Sequence, residues 1–112
     1  MREMVKAFKV LSDETRLRVL NLTLERECCV CEIVQALDIS QSKASRALAA
    51  LYDARFLKLK KQGLWSLYSL DTEGIGEYQT GLVEVITKAL KTNKTATLDK
   101  ERLKSAKRTG VN

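Results

Sequence analysis

No histidine occurs in the 112 residues, and the three cysteines are confined to the "CCVC" of positions 28–31. The first absence removes the usual imidazole ligands of zinc sites. The second excludes a disulfide framework, which needs spread pairs and an oxidising compartment, and leaves reduced, working thiols as the expectation. Apolar residues never run for the ~18 positions that a membrane-spanning helix requires. The N-terminal "MREMVKAFKVLSDETRLRVL" mixes charged with apolar residues where a signal peptide would carry an apolar stretch. A cytoplasmic protein with no membrane partner is expected. Internal repeats are also lacking, so solenoids and propellers drop out.

What is present is a globular composition, 45% apolar and 30% charged, in a length that normally makes one domain. A chain this short buries only about two thirds of its surface on folding, so a homodimer is favoured. The formal charge of +6 is unevenly placed. Between Ile39 and Lys61, the basic residues Lys43, Arg46, Arg55, Lys58, Lys60 and Lys61 are countered by Asp53 alone, and after Lys91 six basic residues meet only Asp99 and Glu101. A field concentrated on one internal segment and one tail is the distribution of a nucleic-acid binder.

Hydrophobic spacing predicts a short helix over 2–10 with Met4, Phe8 and Leu11 on one face. "LSDETRLRVLNLTL" restarts a helix, with Ser12 or Asp13 as N-cap, Glu14 in the first turn and Leu17, Leu20 and Leu24 inward. A third helix runs from about Val30 to Leu37 and stops at Asp38; a fourth begins after Ser40 in "SQSKASRALAALYDA". Its stripe of Ala44, Ala47, Leu48 and Leu51 is a core face, while Ser42, Ser45, Arg46 and Ala49 share the opposite side. That outer face is short and polar, so its backbone can lie deep in a DNA groove. Gln41, Ser42, Lys43, Ser45 and Arg46 are the candidate contacts.

"FLKLKKQGLWSLYSL" alternates in period two around Lys61-Gln62-Gly63, which predicts a β-hairpin with a basic tip where Lys60 and Lys61 meet phosphates. Two short helices, a tight turn at "LDIS", a serine-rich helix and a basic hairpin make a mainly α, winged helix-turn-helix protein. From Thr72 to Lys91, Ile75, Tyr78, Leu82, Val85 and Ala89 recur at alternating three and four steps, a stripe suited to pairing two subunits as a homodimer. Apolar residues thin out beyond Thr92. The expected division is a DNA-binding and dimerisation domain over 1–91 and a basic, disordered tail over 92–112.

These pieces together, over roughly 4–91, resemble the ArsR family of metalloregulatory repressors. "LSDETRLRVL" is similar to its second helix, "ECCVCEI" to its thiol box, "ISQSKASRAL" to its recognition helix and "KKQGLWSLYSL" to its wing. The resemblance implies a homodimer that binds double-stranded operator DNA and releases it when a metal or metalloid binds. In the arsenic-responsive branch the box reads Cys-Val-Cys, here Cys29-Val30-Cys31, which implies As(III) or Sb(III) as inducer with no constitutive cofactor and no enzymatic activity. Trivalent arsenic is thiophilic and takes up to three sulfurs, so Cys28 is the candidate third ligand. The sequence departs from the family at Val34, where some arsenic sensors have a third cysteine, at Ala47, where histidine is frequent, and at Asp38, where glycine is common.

Geometry adds a condition. On a regular helix Cys28 and Cys31 share a face while Cys29 and Cys31 point about 200° apart, so the first turn must unwind for the family pair to meet. Cys28 would then precede it in flexible backbone, free to swing in. The alternative reading is a redox-sensing repressor in which these thiols form a disulfide. A thiol oxidoreductase would need a βαβ context, which is missing.

Overall fold

The computed structural model describes residues 1–109, in the order α1 (Arg2–Leu11), α2 (Glu14–Glu25), α3 (Val30–Leu37), α4 (Gln41–Asp53), β1 (Leu57–Gln62), β2 (Trp65–Leu70), α5 (Glu77–Leu90) and α6 (Lys94–Ser105). This is the expected winged helix-turn-helix, mainly α with one antiparallel hairpin. Asp13, rather than Ser12, caps α2 by accepting the Arg16 N–H at 2.9 Å. Ser40 caps α4 through the Lys43 N–H at 3.1 Å. Between α3 and α4, Asp38 adopts φ 55°, a left-handed conformation that a short polar side chain tolerates and that ends α3 abruptly. The resulting tight corner packs Ile33 and Leu37 of α3 with Leu48 and Leu51 of α4 in one core that includes Leu20, Leu22 and Phe56.

The hairpin turns at Gly63 and Leu64, where Gly63 has φ 60°. Lys60 lies opposite Leu67 and Lys61 opposite Ser66, so both lysines sit on β1, below the tip expected to carry them. Glu77 opens α5 later than the Thr72 start expected. The segment between is a loop in which the Asp71 side chain accepts the Gly74 N–H at 2.9 Å, and Gly76 caps the helix. Ile75 therefore precedes α5. On α1 the buried positions are Ala7, Val10 and Leu11, and Phe8, which shares a helical spacing with Met4 and Leu11, is 55% exposed beside the exposed Val5.

The larger correction concerns the tail. Residues 94–105, expected to be disordered, form α6, capped by Asn93 and packed against α2 and α3. Its buried residues are Ala96, Asp99 and Leu103, a face too sparse in apolar groups to stand out in the sequence. Burial of Asp99 is made possible by Arg18 of α2, whose Nε and one terminal nitrogen each donate to a carboxylate oxygen at 2.9 Å. Such a fork-on-fork pair is strong and directional. Asp99 is buried but Arg18 is partly exposed, so removing the carboxylate loses charged hydrogen bonds worth about 1.5–3 kcal/mol without stranding a fully buried charge. Asp99→Ala should therefore lower the urea midpoint of the purified protein with its m-value retained; an unchanged midpoint would mean that α6 is held by its apolar contacts alone.

Candidate functional site

The thiol segment lies between α2 and α3, where the chain must turn from Arg26, the extended C-cap of α2, to Cys29, the extended N-cap of α3. Cys29 has φ −90° and ψ 167°, outside the helix that begins at Val30. This extended residue is the local unwinding that the spacing requires: Cys29 and Cys31, whose Cα atoms are 5.4 Å apart, are joined as a disulfide. Cys29 is buried and Cys31 half-buried, so Cys31 presents the more accessible sulfur.

Cys28 behaves differently from the expectation of a mobile third ligand. Its N–H donates to the Tyr68 carbonyl at 2.9 Å and its carbonyl accepts the Tyr68 N–H at 2.8 Å, which joins it to β2 as a single antiparallel bridge. The side chain is fully buried in the core with Sγ against the carbonyls of Arg26 and Leu22, at 3.4 and 3.8 Å. Burial pushes its pKa up to about 12. Cys28 is thus packed as a small hydrophobe, and the structure does not bring it to the other two thiols. Among the described residues no group of three or more histidine, cysteine or acidic side chains converges as a metal site. The donor set that fits a thiophilic atom is the Cys29 and Cys31 pair.

Glu32, which the sequence reading did not single out, organises this corner. Its Oε1 accepts the Cys29 N–H at 2.9 Å, completing a capping box in which the Cys29 sulfur accepts the Glu32 N–H. Its Oε2 accepts from Arg26 at 2.8 Å, and Arg108 reaches Oε1 at 3.3 Å. Burial alone would push this carboxyl up; the Cys29 N–H and the two guanidiniums outweigh it and hold Glu32 below the ordinary carboxylate range. The spacing Cys29-x-x-Glu32 was a legible signal, because a glutamate three residues after an N-cap is the capping-box pattern.

The DNA-facing candidates fall on one side of α4. Gln41, Ser42, Lys43, Ser45 and Arg46 are all exposed, with Ala44, Ala47, Leu48 and Leu51 buried on the other side. Thr15 and Arg16 at the start of α2 line a cleft with Lys43 and Arg46, a neighbourhood that no local pattern could reveal. On the wing, Lys61 donates to Ser66 Oγ at 2.9 Å and Lys60 pairs with Glu27 at 3.4 Å. Exposed pairs of this kind are weak, so Lys60 stays available to a phosphate. The dimer candidates divide: Tyr78, Val85 and Ala89 are exposed, whereas Leu82 and Ile75 are half-buried.

Residues 13–59 match the model of the arsR family of bacterial regulatory proteins. The arsenical resistance operon repressor of Bacillus subtilis is 33% identical over 76 residues, which cover 67% of this chain and 72% of that protein. The chain belongs to the arsR family. The arsenic resistance transcriptional regulator ArsR1 of Pseudomonas putida is 44% identical over 77 residues, 65% of this chain; the match spans only 60% of that relative's own length. Among solved structures, reduced HlyU from Vibrio cholerae superposes with a TM-score of 0.66 at 25% identity, over 79% of this chain and 88% of that one. The AntR antimony-specific transcriptional repressor gives 0.63 at 26%, over 80% and 78%. A homodimeric winged helix-turn-helix domain from Mycobacterium bovis, at 22% identity, TM-score 0.67 and coverage of 83% and 82%, shares the fold. The Pseudomonas putida, Bacillus subtilis and AntR relatives carry the names of transcriptional regulators or repressors.

Burial sets Cys28 and Cys29, both fully buried, apart from the half-buried Cys31. With the protein reduced by a phosphine, iodoacetamide at pH 8 should modify Cys31 first and Cys29 only slowly, and leave Cys28, whose thiol burial holds protonated, intact until denaturant is added. Peptide mass mapping reads this directly. Equal rates at all three would place Cys28 outside the core.

Proposed function

We propose that this arsR-family protein is a homodimeric repressor that binds operator DNA through α4 and the wing and is switched by the Cys29 and Cys31 pair. The observation that carries the reading is the extended N-cap at Cys29, which sets the two sulfurs within bonding reach at the start of the helix that supports α4. Oxidation removes two electrons and two protons from the thiols as a low-molecular-weight disulfide is reduced to two thiols, and the Cys29–Cys31 bond forms. The first turn of α3 is then fixed in a different shape from the one it has with two free thiols, and operator affinity falls. Coupling of about 3 kcal/mol between the two sites would weaken binding about 150-fold.

A second effector for the same pair is supported by the relatives named for arsenic and antimony. Arsenous acid would exchange two of its hydroxyls for the two sulfurs and release two waters, with no change in oxidation state. The burial of Cys28 favours a site with two protein sulfurs and a third position filled by solvent or a small thiol. Both effectors act on one dithiol, so one assay separates them.

That assay is a mobility shift on the DNA upstream of the protein's own gene. Reduced protein should bind, an excess of glutathione disulfide should release it, and phosphine reductant should restore binding; Cys29→Ser and Cys31→Ser should bind and ignore glutathione disulfide. Operator affinity that is equal for the dithiol and disulfide forms would end the redox reading. Release by arsenite in the presence of phosphine would then identify metalloid as the effector. Arg46→Ala and Ser45→Ala should each cost roughly 1–3 kcal/mol of operator affinity, as expected for base-edge contacts, and wild-type binding by both would remove α4 from the groove.

The homodimer rests on apolar surface. Tyr78 and Val85 of α5 are 45% and 63% exposed, and Val5 and Phe8 of α1 add to the uncovered apolar residues. Exposed surface of this kind is costly in water and marks an interface. Light scattering should give twice the 12.6 kDa chain mass at micromolar concentration, and Leu82→Glu should shift it to monomer. A stable wild-type monomer would overturn the assignment.

A further inference from the structure

Beyond Ser105 the chain leaves α6 and runs back along α3, where two consecutive residues are gripped by side chains that also hold the backbones of the paired cysteines. Gln35 donates from Nε2 to the Cys31 carbonyl at 2.9 Å and to the Lys107 carbonyl at 2.6 Å, and its Oε1 accepts the Lys107 N–H at 3.0 Å. Glu32 Oε1, which accepts the Cys29 N–H, also accepts from Arg108 at 3.3 Å. Arg26, paired with Glu32, donates in turn to the Leu103 carbonyl at 3.1 Å. One intermediary thus links each cysteine to the strap over residues 106–109: Glu32 for Cys29, Gln35 for Cys31.

We propose that this C-terminal strap is a second output of the dithiol, docked on α3 when the Cys29–Cys31 disulfide is closed and released when it is reduced, with Glu32 and Gln35 as the positioning residues that couple the two. The proposal rests on the dithiol-switch reading of the preceding section. Reduction by a low-molecular-weight thiol delivers two electrons and two protons to the cysteine sulfurs and leaves the reductant as its own disulfide. The two sulfurs, no longer bonded, must separate to van der Waals contact. Cys29 is buried, and its preceding residue is pinned to Tyr68 of β2 by two backbone hydrogen bonds. Displacement therefore goes into the first turn of α3: the Cys29 N–H shares a peptide plane with the pinned Cys28 carbonyl and stays, while the Cys31 carbonyl and the α3 residues Glu32 and Gln35 move relative to it. The strap shares those acceptors and donors, and it follows them.

The far end of α6 is insulated from this motion. Asp99 is tied to Arg18 of α2, and Asn21 of α2 reaches the Ala96 carbonyl at 3.4 Å. Release is confined to the last turn of α6 and the strap, while the start of α6 stays docked. Linkage also makes the coupling reciprocal: whatever favours the docked strap favours the closed disulfide by the same factor.

Hydrogen exchange read by mass spectrometry on the full chain, in its disulfide and dithiol forms, tests this. Amides over 106–109 should exchange at least about fivefold faster in the dithiol form, with those over 96–100 unchanged. In Gln35→Ala combined with Arg108→Ala the strap should exchange fast in both forms, and the dithiol–disulfide equilibrium in a glutathione buffer should move toward the dithiol by a similar factor. Arg108→Lys should retain part of the wild-type equilibrium, which a variant that merely loosens the fold would not. Equal exchange of 106–109 in the two wild-type forms overturns the proposal while leaving the operator assay standing. Failure of the Cys29–Cys31 disulfide to form in solution, checked by mass on the same samples, overturns both the proposal and the redox reading.

Discussion

Glu32 places a buried carboxylate where the end of α2, the start of α3 and the segment beyond α6 meet, and the arrangement of the thiol corner depends on it. Its two oxygens take the N–H of Cys29, the guanidinium of Arg26 and that of Arg108. A charge taken out of water is tolerated when hydrogen bonds and opposite charges surround it, and the cost then becomes a reason for those partners to stay. Arg26 ends α2, Cys29 begins α3, and Arg108 lies beyond α6. Moving the first turn of α3 is therefore not a local event, because it disturbs the solvation of a buried charge that the other two segments share.

The same corner meets α4 and the wing, the elements proposed to contact DNA, from two directions. Through α3 it supports α4, whose buried stripe packs against Ile33 and Leu37. Through Cys28 it joins the wing, as the Cys28 backbone pairs with Tyr68 and the adjacent Glu27 pairs with Lys60. A repressor reads DNA with a helix that must be held in register and a hairpin that must reach the neighbouring backbone. Placing the dithiol between their supports lets a small displacement affect both, and packed interiors transmit such shifts because they have few voids to absorb them.

Much of the architecture was legible in the sequence wherever one local rule decided it. The α4 stripe of Ala44, Ala47, Leu48 and Leu51 followed from helical period, the hairpin from period-two alternation around Gly63, and the onset of α3 at Val30 from its apolar pattern. The need for an unwound residue before Cys31 followed from helix geometry, and Cys29 supplies it. What escaped depended on partners far along the chain. α6 carries few apolar residues because its central buried position is Asp99, which only Arg18, 81 residues earlier, makes tolerable. Helical spacing grouped Phe8 with Met4 and Leu11, but the face that meets the core passes through Ala7, Val10 and Leu11. Cys28 was grouped with its neighbours by composition, whereas its backbone belongs to the wing.

That pairing explains why adjacent cysteines have unlike fates. An extended segment sends successive side chains to opposite faces, so once Cys28 is fixed against Tyr68 with its sulfur in the core, Cys29 must present its sulfur elsewhere. The N-cap position of α3 turns that direction toward Cys31, one residue into the helix. In the proposed switch Cys28 serves by not taking part: its peptide is the fixed point on the N-terminal side of the cysteine pair. With that side held by β2, a change in separation between the two sulfurs would be spent on α3, the element against which both α4 and the C-terminal strap pack.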